Sequence, residues 1–238
     1  MGEIVMAVEK EPVEDTGEPD REEKSDKEME KASAGLSGLT VQMSVMQFFG
    51  FYASSVVFGG YAFPEDFKEG EGTVWQVRST EGDEPFEIER AFLKGFPEGL
   101  QWWRLRYTSG EESILFEYLI DSEYTISKIR FKDPDSGEIQ EYVPEQAEKE
   151  DAEEVEEFSE EDWAPYITGK EKLRVGAGTF QADHILIEDE RQRWEWWISK
   201  GAPGGVVKYI GRNLEENSEI QGELIAINKG YTTEHGSF

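Results

Sequence analysis

Thr40-Val-Gln-Met-Ser-Val-Met-Gln-Phe-Phe-Gly-Phe-Tyr-Ala-Ser-Ser-Val-Val-Phe-Gly-Gly-Tyr-Ala-Phe63 is the stretch on which the reading of this chain turns. It lies inside a longer run, Ala32 to Pro64, without one charged side chain, in a protein of 238 residues with 53 acidic and 24 basic ones. At helical spacing Val41, Val45, Phe48, Tyr52 and Val56 line one side, and Met46, Phe49 and Ala53 widen the stripe. So broad an apolar surface asks for apolar surroundings. Three settings supply them: a helix over about 40–58 buried on the rest of the fold, a membrane or interface anchor, or a helix in a subunit interface. Val41 to Phe63 has the length of a span, since about 20 apolar residues suffice. Gln42, Ser44, Gln47, Ser54 and Ser55 dilute it, however, and Gly50, Gly59 and Gly60 weaken it as a helix. The buried helix is the favoured reading, and the other two stay open.

Beyond Pro64 the period changes from 3.6 to 2, the spacing at which alternate side chains share one face of a strand. Phe86, Ile88 and Phe92 alternate with Glu87 and Glu89; Trp103, Leu105 and Tyr107 alternate with Arg104 and Arg106; Ile114, Phe116, Tyr118 and Ile120 enclose Glu117. Turn-forming residues divide these runs at Glu81-Gly-Asp83, Pro97-Glu-Gly99, Ser109-Gly110 and Asp133-Pro-Asp-Ser-Gly137. The pattern resumes at Lys172 to Val175, Thr179 to Ile187, Arg193 to Ser199, Val206 to Ile210 and Glu219 to Asn228, for roughly ten strands. Short hairpins without helical repeats predict a mainly β (α+β) fold: one large curved antiparallel sheet or open half-barrel around the apolar helix. Trp102 beside Trp103 and Trp196 beside Trp197 put large rings on both faces, so something must cover the second face, and the helix is the natural cover.

Charge is concentrated in two segments. Residues 1–31 hold 12 acidic and 5 basic side chains, and 144–162 hold 11 and 1. The first reads as an acidic flexible tether, because it has too little apolar surface to offset its ordering entropy. The second reads as an insertion forming a surface helix or loose loop, within a single β-rich domain over 32–238. Met1 is not followed by the basic and apolar pattern of a secretory leader. A formal charge of -29 repels phosphate backbones, which sets nucleic acid aside as a partner and disfavours docking to anionic lipid. Absence of cysteine removes disulfides, thiolate catalysis and cysteine-based metal sites.

Little remains for catalysis. His184 and His235 are the only imidazoles; His184 neighbours Asp183 in a strand, where adjacent side chains point to opposite faces, and His235 lies in a polar tail expected to be solvated. Glu87 and Glu89 form a carboxylate pair that chance supplies among 53 acids. Asp133, Asp135 and Glu138 loosely follow a calcium loop, but Gly137 stands where a ligand is required, and a hairpin turn accounts for them. Gly176, Gly178, Gly204 and Gly205 suit turns and precede no helix that would cradle a phosphate. The chain is therefore read as no enzyme, with no cofactor and no metal. The tryptophans are the feature to follow, as sheet core or as the lining of a pocket or interface.

Val175-Gly-Ala-Gly-Thr-Phe180, Trp196-Trp-Ile-Ser-Lys200 and Ala202-Pro-Gly-Gly-Val-Val-Lys-Tyr209 together resemble a recurring pattern of bacterial envelope proteins of the lipoprotein-carrier type. The resemblance covers about the last 65 residues, and the acidic insertion is foreign to it. It implies a strongly curved sheet around helices, whose concave face takes acyl chains or other apolar ligands, and it favours the cell envelope over the cytoplasm. Candidate ligand-binding residues are Phe48, Tyr52, Trp75, Trp103, Tyr118, Trp196 and Trp197. The reading is a non-enzymatic binding or carrier protein for an apolar small molecule or lipid. The alternative is a structural or accessory subunit that docks through residues 40–63 onto a protein assembly or a membrane.

Overall fold

The computed structural model describes residues 42–63, 66–82, 84–123, 125–144 and 163–237, all within the unit Val41–Phe238. The expected tether and the greater part of the acidic insertion lie outside the described residues. Among the described residues one long helix, α1 (residues 42–58), opens the fold. It stops at Gly59-Gly60, where the Gly59 N–H still bonds the Ser55 carbonyl and Gly60 adopts φ +63. Glycine is required at 60 for a second reason, since a Cβ there would stand 2.0 Å from the indole of Trp75. Among the described residues no helix is long and apolar enough to cross a membrane.

Among the described residues twelve strands follow: β1 (Tyr61–Phe63), β2 (Glu71–Ser79), β3 (Phe86–Gly95), β4 (Gln101–Ser109), β5 (Glu112–Ile120), β6 (Ile126–Lys132), β7 (Ile139–Tyr142), β8 (Ile167–Val175), β9 (Gly178–Glu188), β10 (Gln192–Ile198), β11 (Gly204–Asn213) and β12 (Ser218–Lys229). They form one open, curved antiparallel sheet in the order β7-β6-β5-β4-β3-β2-β12-β11-β10-β9-β8. It consists of two meanders, β2 to β7 and β8 to β12, joined where β12 pairs with β2 from Ile220↔Ser79 to Lys229↔Glu71. The short β1 pairs with the start of β11, at Gly204 and Gly205. Register slips by one residue between Phe92 and Lys94, Leu119 and Ile120, Trp197 and Ile198, and Leu224 and Ala226. Such bulges bend a strand and sharpen its twist, which is how a sheet of this size curves without closing.

Period-2 alternation then decides the faces. Trp75, Ile88, Leu105, Phe116, Tyr118, Phe131, Tyr209 and Leu224 are buried in one cluster with Val45 and Phe48 of α1. The inner face of the sheet is thus covered by the uncharged helix, as the sequence predicts. The helix meets the sheet with the side bearing Val45, Phe48 and Ser55, while Met43, Met46, Phe49, Val56 and Val57 remain exposed, Met46 at 66%. Val56 therefore leaves the expected buried stripe and Ser55 enters it. On the outer face a second cluster of Ala91, Leu93 and Trp102 is joined by Phe96, Leu119 and Tyr231. Here the cover is Tyr231 together with residues 232–237, the polar tail in which the sequence reading expected His235 to be solvated.

Candidate functional site

The inner face is a bed of rings. Phe48 of α1 reaches between Phe116 and Tyr118, each 5.4 Å away between centroids, and lies 5.8 Å from Tyr52 on its own helix. Tyr52 also meets Tyr118 edge-on at 5.4 Å. One turn along the helix, Phe51 stacks flat on Tyr107 at 4.4 Å. Farther still, Phe58 lies 6.2 Å from Tyr209 on β11, and Tyr209 stacks on Trp75 at 5.8 Å. Tyr209 also rests on Gly222 of β12, where a Cβ would come within 2.2 Å of its ring. Each pair adds about 0.5–1.5 kcal/mol beyond simple burial.

A guanidinium also enters this bed, that of Arg90, buried on β3, its carbon 5.7 Å from the Tyr52 centroid and 5.0 Å from that of Trp103. A desolvated cation over a ring face is worth about 2 kcal/mol. Burial pushes the Tyr52 phenol above its ordinary range, and the Arg90 charge offsets part of that rise. The Ser54 and Ser55 hydroxyls turn back on the helix, donating to the Gly50 and Tyr52 carbonyls, whereas the Tyr52 hydroxyl is bonded by Arg90. Helix and sheet are therefore joined mainly by non-directional contact between rings and aliphatic groups. The chemistry of this surface is that of apolar contact.

Of the seven candidate residues, Phe48, Tyr52 and Tyr118 share one ring cluster, and Trp103 joins them across Arg90. Trp75 lies farther along the same face, beside Tyr209. Trp196, registered with Tyr209, stacks on Trp194 at 5.5 Å and meets Trp163 edge-on at 6.0 Å. Trp197 points to the opposite face, stacked on His184 at 4.7 Å, with the Lys208 ammonium 5.1 Å above it and its indole N–H bonded to Glu171. Sequence reading missed Phe51, Tyr107, Phe116 and Tyr209 as members of the bed, although each has the inward parity of its strand or helix. It also missed Arg90, which stands between inward-facing Ile88 and Phe92 and so had the same signal.

Two buried carboxylates organise the outer face. Glu117 of β5 is 0% exposed and accepts four bonds: from the Trp102 indole N–H at 3.2 Å, the Thr233 hydroxyl at 2.6 Å, and the backbone N–H of Glu234 and His235 at 2.6 and 3.3 Å. His235, expected in solvent, is 6% exposed, with its Nε2 3.1 Å from the Leu115 carbonyl. The expectation failed because a polar tail shows no period, while Glu117, which fastens it, reads in sequence as an ordinary outward strand residue. On the other meander Glu195 of β10 collects His184 Nε2 at 3.1 Å and the guanidinium groups of Arg193 and Arg212, each at 3.2 Å. Thr168 lies 3.0 Å from His184 Nδ1, and Asp183 faces away toward Lys170, so the two neighbours do not converge. At the Asp133 turn the carboxylate accepts from the Ser136 and Asp135 backbone N–H groups, bonds that hold its pKa below the usual range and that make it a turn residue.

No family model and no curated protein matches this chain. Solved structures similar to it include a chain of the Pseudomonas aeruginosa MucA/MucB complex, with a TM-score of 0.43 and 14% identity over 74% of this chain and 56% of that one. A candidate lipoprotein of Parabacteroides distasonis gives 0.36 and 11% over 71% and 98%. A candidate outer-membrane lipoprotein-sorting domain of Vibrio parahaemolyticus gives 0.31 and 7% over 71% and 90%. The lipoprotein and lipoprotein-sorting likenesses are of the kind that the segments between Val175 and Tyr209 had suggested.

Proposed function

We propose that the protein is a non-enzymatic binding protein of the carrier type, which receives an acyl chain or other apolar ligand on the inner ring bed of its curved sheet, beside or in place of α1. The observation that supports this reading is the chemistry of the helix-sheet contact. Phe48, Phe51, Tyr52 and Phe58 meet the sheet through rings, and the Ser54 and Ser55 hydroxyls are satisfied within the helix. Methylene groups can take the place of the Phe48, Phe51 and Phe58 rings without orphaning a hydrogen bond, and only the bond between Tyr52 and Arg90 is polar among these four contacts, where exchange would leave a buried group unpaired at about 1–3 kcal/mol. An envelope-side location goes with this reading.

Extraction of protein purified without detergent, followed by mass spectrometry, is expected to yield an apolar molecule. Spin-labelled palmitate should quench the tryptophan fluorescence saturably. An empty extract together with unsaturable quenching by a folded protein would overturn the proposal. The exposed side of α1, with Met43, Met46, Phe49, Val56 and Val57, favours a second reading, an accessory subunit docking onto an assembly or a membrane. Met46→Lys separates the two, because it removes an exposed docking contact on the side of α1 away from the inner bed.

A further inference from the structure

Residues 231–237 run across the strands of the first meander, along a cross-strand row in which Gly72, Ala91, Arg104, Glu117, Arg130 and Glu141 stand in mutual register. Each contact along this path reads a different chemical feature of the segment. The Tyr231 ring fits against Gly72, where a Cβ would come within 2.7 Å, with the Arg104 guanidinium 5.1 Å from its centroid and its hydroxyl donating to Glu89 at 2.8 Å. The Thr233 hydroxyl and two successive backbone N–H groups fill three of the four acceptor positions used on Glu117. The Glu234 carboxylate is paired with Arg104 at 2.6 Å and Arg106 at 3.0 Å. The Ser237 carbonyl accepts from Arg130 at 2.7 Å. A buried carboxylate receiving consecutive amides, next to arginines that take an acidic side chain, is a peptide-reading arrangement. Here its occupant is the segment 231–237.

We infer that the outer face of β3 to β6 is a recognition groove for an extended peptide bearing an aromatic residue, then Thr or Ser two positions on, then an acidic residue, and that residues 231–237 are its exchangeable occupant in cis. Several features distinguish this segment from a strand of the sheet. It is held chiefly by side chains of the face rather than by a backbone ladder. Gly230 at φ +82 precedes it and Gly236 at φ +103 is its penultimate residue, and a Cβ at either would meet nothing within 4 Å. Thr232, Glu234, Gly236 and Ser237 remain exposed even when the segment is docked. Tyr231 and Thr233 are half-buried and His235 is buried. Peeling the segment away uncovers Trp102, Glu117, Arg104, Arg106 and Arg130 together, which is a docking surface of defined chemistry rather than a generic apolar patch.

The test uses a synthetic peptide of residues 229–238 carrying a fluorophore, with the full chain and a variant lacking 231–238. The shortened protein is expected to bind the peptide saturably, and the full chain at least tenfold more weakly, because its own segment competes. Glu117→Gln in the shortened protein, or Thr233→Val in the peptide, should each weaken binding roughly tenfold or more, the effect of losing a charge-assisted bond. A folded shortened protein that fails to bind, or a full chain that binds equally well, overturns the inference. Should the shortened protein not fold, native-state hydrogen exchange on the full chain decides. The Glu234 and His235 amides should open at least tenfold more often than the amides of β4 and β5, and more often still in Glu117→Gln. Opening of those amides only together with β4 and β5 overturns it.

Discussion

Glu117 and Tyr209 are both polar and both buried, yet only one is satisfied. Glu117 accepts four hydrogen bonds, the full capacity of a carboxylate, which is how an anion can stand in the interior of a sheet at 0% exposure. The Tyr209 hydroxyl, by contrast, has no partner among the described residues, and burial alone drives its pKa far above the ordinary phenol value. Tyr209→Phe keeps the ring on Gly222 and Trp75 and removes only the orphaned oxygen. Its stability in urea at pH 7 is expected to equal that of the parent or exceed it by about 1 kcal/mol. The pH dependence follows from the same shift. A phenol with a raised folded pKa contributes fully below its unfolded value near 10. It loses that contribution as pH rises beyond this value toward the folded pKa, because the unfolded chain then gives up the proton first. The parent should therefore lose about 1.4 kcal/mol per pH unit more than Tyr209→Phe above pH 10. Urea midpoints between pH 8 and 11 measure the difference. Destabilisation of Tyr209→Phe by more than 1 kcal/mol at pH 7 would mean that the hydroxyl is bonded after all.

At the scale of one element, α1 has two apolar sides with different roles. Phe48 is 0% exposed and wedged among rings, so Phe48→Ala loses its transfer energy and leaves a cavity, for an expected cost of about 3–5 kcal/mol. Met46, two residues earlier and 66% exposed, should accept Lys within about 0.5 kcal/mol. Urea unfolding of both variants checks the contrast, and an equal cost would show that the outer side of the helix is also covered. This element marks how far the sequence could be read. The absence of charge from Ala32 to Pro64 made a buried helix legible, and the spacing of Val45, Phe48 and Tyr52 identified the inner side. It could not show that Ser55 rather than Val56 faces the sheet, because serine can bond its own helix carbonyl and be buried at small cost. Strand parity likewise exposed Trp103, Leu105 and Tyr107 as inward. The cover of the outer face stayed hidden, since Thr233, Glu234 and His235 acquire their meaning only from Glu117, more than a hundred residues away.

At the scale of the molecule, two meanders of local hairpins become one sheet through a single seam, β2 with β12, whose residues are far apart in sequence. A seam of one strand pair would by itself permit the halves to open separately. Two further elements cross it. The helix touches β5 through Phe48 and β11 through Phe58, so its burial requires both meanders. Residues 231–237 leave β12 and fasten to the far side of β4 and β5, which ties the halves on the outer face as well. Seam, helix and outer segment all lose their partners if either meander melts, and that condition makes unfolding cooperative. The slowest amides of β4 and β5 are therefore expected to exchange through the same opening as those of β11 and β12, with free energies equal within about 1 kcal/mol. The edge strand β8, exposed along most of its length, should open at lower free energy, because it is flanked on one side only and covers little of the core. Hydrogen exchange followed strand by strand in low denaturant measures these values. If β11 and β12 opened together while β4 and β5 stayed closed, the helix would not couple the two halves, and each meander would be an independent folding unit.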